Sequence, residues 1–353
     1  MDLRVGIVTS IYPSSRFPVQ GTFIKDVVDH LRSAGVHVVV INYRYNYAAM
    51  SLECMIRSPR LDLLDAQFVA PAGVVAAFTP RLAPFVITVH RWDILEFPYR
   101  YPAARFATLA ALRSASGIVV VGRTIMSEVT KFATTGSRLA LIPNAVDTAR
   151  FRPDLKSDLK LKLGVPENHK VILSVGHLIP RKGHQYLLHA MFIVLKQNSS
   201  CSLVIAGEGP LHDRLDHLIR ELGLVHRVKL VGKIDDVILP YYYAMADIFA
   251  LPSASEGHCV SILEAMSAGR PIVASDIPAN AESVVNGKNG FLVPVGNSRA
   301  LADSILMLLR NNELRQEFGA YSRQRAVKEF GWDNRVNRLV DFYEAVLTQP
   351  EMK

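Results

Sequence analysis

The feature that most constrains this chain is a strand–helix rhythm that runs through it twice. Short runs of β-branched and aliphatic residues recur at 3–9, 36–41, 63–68, 85–90, 117–121 and 139–142. Between the first two, residues 22–34 place Phe23, Val27, Val28 and Leu31 at helical spacing, and Gly35 closes the helix. The rhythm restarts with strands at 171–175, 202–206, 228–230, 248–251, 272–274 and 290–293. Helices at 184–196, 211–222, 237–246, 260–267 and 299–310 separate them. Strands joined by helices cannot pair as hairpins. They make a mostly parallel sheet covered by helices, and here they make two.

This organisation predicts a first α/β domain over 1–150, a second over 151–330 and a terminal segment over 331–353. A charged, Pro- and Gly-containing stretch at 147–169 reads as the connection, with a short helix near 157–163. Residues 42–60 are poorly patterned and read as a loop or short helix. Two tail helices, 313–329 and 333–347, break around Gly331. The second carries Val336, Leu339, Val340, Tyr343 and Leu347 on one side, which suits docking on another surface.

A chain of 353 residues is long for one compact domain, which agrees with the double rhythm. Half of its residues are hydrophobic and a fifth are charged, a globular composition. Its apolar runs fall short of the roughly 20 residues a spanning helix requires. The opening apolar run reads as a first strand rather than a signal peptide, because it is short and runs into Pro13. The formal charge of +8 is dispersed, with no run of four Lys or Arg. That pattern disfavours nucleic acid as a partner and leaves phosphorylated ligands and anionic lipid. Cysteines 54, 201 and 259 are odd in number and far apart, so they form no disulfide framework and fit a reducing cytoplasm.

The most informative stretch is SASEGHCVSILEAMSAGRPIVASDIPANAE, residues 253–282. It reads as strand end, loop, helix from about Cys259, a stop at Gly269 and another strand. Such a loop lies at the carboxyl edge of a parallel sheet, where open α/β proteins bind ligands. The amides of His258, Cys259 and Val260, beside Gly257, form a phosphate site at the helix start. Glu256 and Glu264 can accept hydrogen bonds from paired ligand hydroxyls. Equally, Glu264 can be an ordinary helix residue and Glu256 a favourable charge near a helix start.

A second loop, SVGHLIPRKGHQ, ends a strand at Gly176 and carries Arg181 and Lys182. Two adjacent cations suit a diphosphate, although a solvated pair on a surface turn has the same sequence. AGEGPL places Gly207 and Gly209 directly after another strand. The third glycine of a dinucleotide fingerprint is missing, there is no GxxxxGK[ST] loop, and there is no HExxH or His/Cys cluster. NAD, a P-loop nucleotide and a resident metal are therefore not expected. In the first half, Gly21 lets backbone approach a ligand. His90 ends a strand, where it is a satisfied structural histidine, a substrate-positioning group or an acid–base group. Asn144 either forms a turn or touches ligand.

These residues resemble a family. The chain looks like a retaining glycosyltransferase of the glycogen-synthase-like family 4 group, a GT-B fold of two facing Rossmann-like domains. The resemblance covers nearly the whole chain and is most specific at EGHCVSILE, where seven residues separate Glu256 from Glu264 as in the family's E-x7-E element. It implies that Glu256 meets the transferred sugar and Glu264 the nucleotide ribose. It also implies that Arg181 and Lys182 take the donor diphosphate, assisted by amides near His258–Val260. Gly21 is similar to the glycine-loop residue, His90 to the sugar-proximal histidine and Asn144 to the asparagine of a PNGVD-like segment. The last helix would return to the N-terminal domain. The chain departs from the family pattern at PVQGT, with one glycine, at Arg91 after His90, at Ala145 after Asn144, at His258 in EGHC and at PANAE before Glu282.

The implied reaction moves a hexose from a UDP- or GDP-linked donor to a glycan or lipid-linked acceptor, with no tightly bound cofactor. The setting is cytoplasmic or on the cytoplasmic membrane face, in polysaccharide or glycolipid synthesis. A non-hydrolysing sugar-nucleotide epimerase and a non-catalytic sugar-nucleotide-binding protein are the alternative readings.

Overall fold

The computed structural model describes residues 3–14, 21–44, 46–132 and 138–348. They fall into two compact units, one holding the described residues up to Pro143 and from Trp332 onward, the other Asn144–Gly331.

The first unit contains β1 (Arg4–Thr9), β2 (His37–Asn42), β3 (Leu63–Gln67), β4 (Phe85–Val89), β5 (Gly117–Val120) and β6 (Arg138–Leu141). Its sheet has the order β2-β1-β3-β4-β5-β6, and every pair is parallel. The second unit contains β7 (Lys170–Val175), β8 (Cys201–Ala206), β9 (Val228–Leu230), β10 (Ile248–Leu251), β11 (Ile272–Ser275) and β12 (Gly290–Val293). Its order is β12-β11-β10-β7-β8-β9, again all parallel. That is the doubly wound Rossmann order, with the sequential order of the strands reversing between β7 and β10. In the first sheet the reversal lies between β1 and β3. Both sheets are covered on both faces, which explains strands that are apolar almost throughout.

The tail helix Trp332–Thr348 belongs to the first unit. Val336, Leu339, Tyr343 and Val346 join Val5, Ile7, Val86 and Val119 in one core. The preceding helix Asn312–Glu329 stays with the second unit, where Phe318 enters the core and Gly319 meets the Gly269 backbone. Buried Arg335 donates to the carbonyls of Ile142 and Pro143, so the returning helix is fastened to the chain just after β6.

Two expectations change. Residues 42–60 include a full helix, Tyr47–Arg57, whose first turn is capped by the Asn46 side chain accepting from Ala49 N–H. The crossover lies at Pro143/Asn144, before the 147–169 stretch. That stretch is part of the second unit because Phe151 is buried there against Tyr243, with ring centroids 5.5 Å apart. The helix Pro102–Ser114 was not singled out in the sequence. The three cysteines are buried and free.

Candidate active site

In the second unit the chain leaves β7 and β10 on either side of the switch point. The loop after β7 forms a short 3-10 turn, Pro180–Lys182, and then the helix His184–Leu195. The loop after β10 carries Ser253 to Glu256 and then the helix Val260–Ser267. Ala254 N–H donates to the Arg181 carbonyl at 2.7 Å, joining the two loops.

Glu256 is buried between two cations. Its Oε1 lies 2.7 Å from Lys182 Nζ and its Oε2 3.1 Å from an Arg181 guanidinium nitrogen. Arg181 also donates to the Ser255 carbonyl at 3.1 Å. Burial alone would raise the Glu256 carboxyl. The Lys182 ammonium, then Arg181 and Ser253, pull it below its ordinary value instead. Two cations therefore share one carboxylate, and the cluster keeps one net positive charge. Lys182 is nearly buried while Arg181 is a third exposed, so Arg181 can move to a ligand at lower cost.

Glu264 stands on the next helix. Its Oε2 accepts from the buried Tyr243 hydroxyl at 2.6 Å, which fixes the carboxylate's rotamer. Sequence reasoning missed Tyr243. The signal was the YYY run at 241–243, since a buried tyrosine hydroxyl must find a partner. His184, the first residue of its helix, is fully buried, and among the described residues neither ring nitrogen has a hydrogen-bond partner. Burial, then the Lys182 charge, push its pKa down to about 4.

Other expected residues gather around these without all facing outward. The His258 ring accepts from Asn144 N–H at 3.2 Å on Nδ1 and meets Ser283 Oγ at 3.2 Å on Nε2. The Asn144 amide donates to the His258 carbonyl at 3.0 Å. Asn144 thus buttresses the loop of Gly257, His258 and Cys259 that leads to Val260. Cys259 is buried, and burial raises its thiol above the ordinary value, so it is no nucleophile. The amides of Gly176 and Gly207 are committed to the Ala206 and Gly232 carbonyls. Gly207 has φ +150°, and a Cβ there would lie 2.0 Å from the Gly176 carbonyl oxygen, so packing of two loops demands this glycine.

In the first unit, the expected residues lie at the carboxyl edge of the sheet. Gly21, at φ +77°, caps the first helix, and a Cβ would collide with the Ile11 carbonyl at 2.5 Å. Pro18 to Gln20 of the PVQGT segment lie outside the described residues. His90 follows β4, with its ring against Phe68 (4.5 Å between centroids) and Phe23 (5.2 Å). Phe68 has φ +80°, a strained conformation for a non-glycine residue, costing about 1–3 kcal/mol. Asp93 accepts from the N–H groups of Val69 and His90, at 2.8 and 3.1 Å, and holds both loops in place. Burial, followed by the Arg335 charge, pushes the His90 pKa down to about 3. Among the described residues no group of three or more His, Cys, Asp or Glu is placed to hold a metal ion.

Residues 156–325 match the model for "Glycosyl transferases group 1", and residues 42–150 match "Glycosyltransferase Family 4". The chain is a GT-B-fold relative of these glycosyltransferases. It is 26% identical to a GDP-mannose-dependent alpha-(1-6)-phosphatidylinositol monomannoside mannosyltransferase of Mycobacterium tuberculosis, over 96% of this chain and 97% of that protein. It is 29% identical to the uncharacterized glycosyltransferase MJ1607 of Methanocaldococcus jannaschii over 65% of this chain, and the match spans only 60% of that relative. In structure it superimposes on Anabaena Alr3699/HepE, solved with UDP and glucose. The TM-score is 0.80 at 22% identity, covering 97% of this chain and all of that one. The last likeness speaks for the fold.

Proposed function

We propose that this chain is a retaining hexosyltransferase that moves the sugar of a UDP- or GDP-linked donor onto a glycan or lipid-linked acceptor. The observation that carries the reading is the Arg181–Lys182–Glu256 cluster at the switch point of the second sheet, beside the start of the helix Val260–Ser267. A donor diphosphate brings two negative charges to a cluster that keeps one net positive charge and to amides at a helix start. The names of the relatives, among them a GDP-mannose-dependent transferase, agree with this class of donor.

In this reading Glu264, oriented by Tyr243, takes the ribose hydroxyls, and Glu256 takes hydroxyls of the transferred sugar as the diphosphate draws Arg181 away. The bond from C1 to the diphosphate oxygen breaks while the acceptor oxygen bonds to C1 on the same face. The acceptor's proton passes to an oxygen of the departing phosphate. Lys182 and Arg181 stabilise the charge that develops there, Lys182 from its nearly buried position and Arg181 once it has moved onto the diphosphate. His90 is held neutral and serves as a hydrogen-bonding contact for a sugar hydroxyl rather than as an acid or base near pH 7.

A lipid-linked acceptor in cell-surface polysaccharide or glycolipid synthesis suits a second feature. Leu52, Met55 and Ile56 of the helix Tyr47–Arg57 are exposed, with Phe78 and Leu82 exposed close by and Arg57 and Arg60 at the edge. Apolar side chains rimmed by arginine fit an anionic membrane surface. Peripheral attachment at the cytoplasmic face follows, and no described helix is long and apolar enough to cross a membrane.

The deciding experiment incubates the chain with UDP-glucose and GDP-mannose, each with glycan and lipid-extract acceptors, and determines the product's anomeric configuration by NMR. The expected product keeps the donor's α configuration. An inverted linkage, a donor epimer formed without acceptor, or donor binding without turnover would each overturn the proposal.

A further inference from the structure

Asp65 and Gln67 are two residues apart on β3, so both lie on the face that carries Leu63 and packs against the tail helix. Thr88 of β4, the register partner of Gln67, and His90, just past the strand's end, continue that face. Four polar residues in such a place are tolerated only if their hydrogen bonds are made, and here they form one chain. The Tyr343 hydroxyl of the tail helix donates to Asp65 Oδ2 at 2.7 Å, and Thr88 Oγ1 donates to Asp65 Oδ1 at 2.9 Å. Gln67 Nε2 donates to Asp65 Oδ2 at 2.8 Å, and Gln67 Oε1 lies 3.2 Å from His90 Nε2.

The chain has a direction. A carboxylate with Tyr343 and Thr88 as donors can only accept from Gln67, so the Gln67 amide nitrogen points to Asp65 and its oxygen to His90. That oxygen accepts only, so His90 must carry its proton on Nε2. We propose that Gln67, seated on Asp65 and through it on Tyr343, is a positioning residue that fixes His90 as the Nε2–H imidazole. Nδ1 is then the ring's one acceptor for a substrate hydroxyl. The inference rests on the reading of His90 as a sugar contact. It also gives the returning tail helix a role beyond closing the core, since its Tyr343 sets the hydrogen-bonding sense of a ring at the far end of the relay. The Phe68 and Phe23 rings and the Asp93 contact to the His90 backbone hold the imidazole where the relay meets it.

The test is a double-mutant cycle on the full chain joined to nitrogen-15 NMR of the imidazoles, with His90 assigned by its loss in His90→Ala. Wild-type His90 should show a protonated Nε2 and an unprotonated Nδ1 from pH 5 to 8. In Gln67→Leu that signature should give way to exchanging neutral tautomers, with the proton shared between Nε2 and Nδ1. With UDP-glucose and GDP-mannose as donors, Gln67→Leu should lower kcat about tenfold, with little change in donor KM and no further loss in the His90→Ala background. Tyr343→Phe, which removes one hydroxyl, should act in the same direction more weakly, and it serves if Gln67→Leu does not fold. A protonated Nδ1, or kinetic losses that add, would overturn the relay. A relay signature lost in Gln67→Leu, with undiminished turnover in His90→Ala, would keep the tautomer assignment and overturn its role toward substrate.

Discussion

Acidification should act differently on the two units, because each holds a histidine neutral but only one buries a compensating carboxyl. In the second unit the His184 pKa is about 4, below the ordinary 6.5. As pH falls, the unfolded chain takes the proton first, so stability is lost across that window. By pH 5 the loss is about 2 kcal/mol, from roughly 1.4 kcal/mol per pH unit. In the first unit His90, at about 3, incurs the same loss by pH 5. Asp93 works in the opposite sense. Burial raises its carboxyl from 3.8 to about 6, so the folded chain takes the proton first and stability is gained as pH falls through that range. The gain is about 1.4 kcal/mol at pH 5, and the first unit nearly balances. Asp65, also raised by burial, adds to the gain. Glu256, held below its ordinary 4.5, contributes loss only at lower pH. Both tryptophans, Trp92 and Trp332, lie in the first unit. Urea unfolding at pH 7.5 and pH 5 can therefore be followed by tryptophan fluorescence for that unit and by far-UV circular dichroism for both. The dichroism midpoint should fall well before the fluorescence midpoint at pH 5, and His184→Leu should remove most of the difference. A fluorescence transition that shifts as far as the dichroism transition would refute the reasoning.

Other consequences are as direct. Lys182→Met leaves Glu256 paired to Arg181 alone, so thermal unfolding should show a loss of about 1–3 kcal/mol, and kcat should fall by roughly 10²–10³; a kcat within threefold of wild type would remove Lys182 from the leaving-group role. Tyr243→Phe should cost about 1–2 kcal/mol and weaken nucleotide binding severalfold by calorimetry, because the Glu264 carboxylate loses its anchor. Unchanged affinity would mean that Glu264 needs no orientation. Replacing Leu52 and Ile56 by glutamate should abolish sedimentation with anionic phosphatidylglycerol vesicles without altering the unfolding midpoint, whereas retained binding would move the membrane face elsewhere.

Much of this architecture was legible in the sequence because parallel strands buried on both faces announce themselves as short apolar runs. Arg181, Lys182, Glu256 and Glu264 were legible as residues after strands. Their mutual arrangement was not, since the bond between Lys182 and Glu256 depends on β7 and β10 being neighbours across the switch point. Gly207, which directly follows a strand, was legible as a glycine the loop needs, but not that its missing side chain makes room for the Gly176 carbonyl. The Asp65–Gln67–His90 relay went unread, although two polar residues spaced by two in an otherwise apolar strand, LLDAQ, were its signal. The helix Tyr47–Arg57 was obscured because its exposed face carries Leu52, Met55 and Ile56, which blurs the apolar stripe that periodicity detects.

The central claim is that the second unit binds a nucleoside diphosphate sugar through Arg181 and Lys182. The most direct measurement is thermal unfolding with UDP, GDP, their sugar conjugates and the bare nucleosides, on wild type, Arg181→Ala and Lys182→Met. One diphosphate series should stabilise the wild type by about 2.7 kcal/mol at a hundredfold excess over its Kd. The nucleosides should not, and both variants should lose most of the effect. Failure of every diphosphate to stabilise the wild type, or equal stabilisation of both variants, would contradict it.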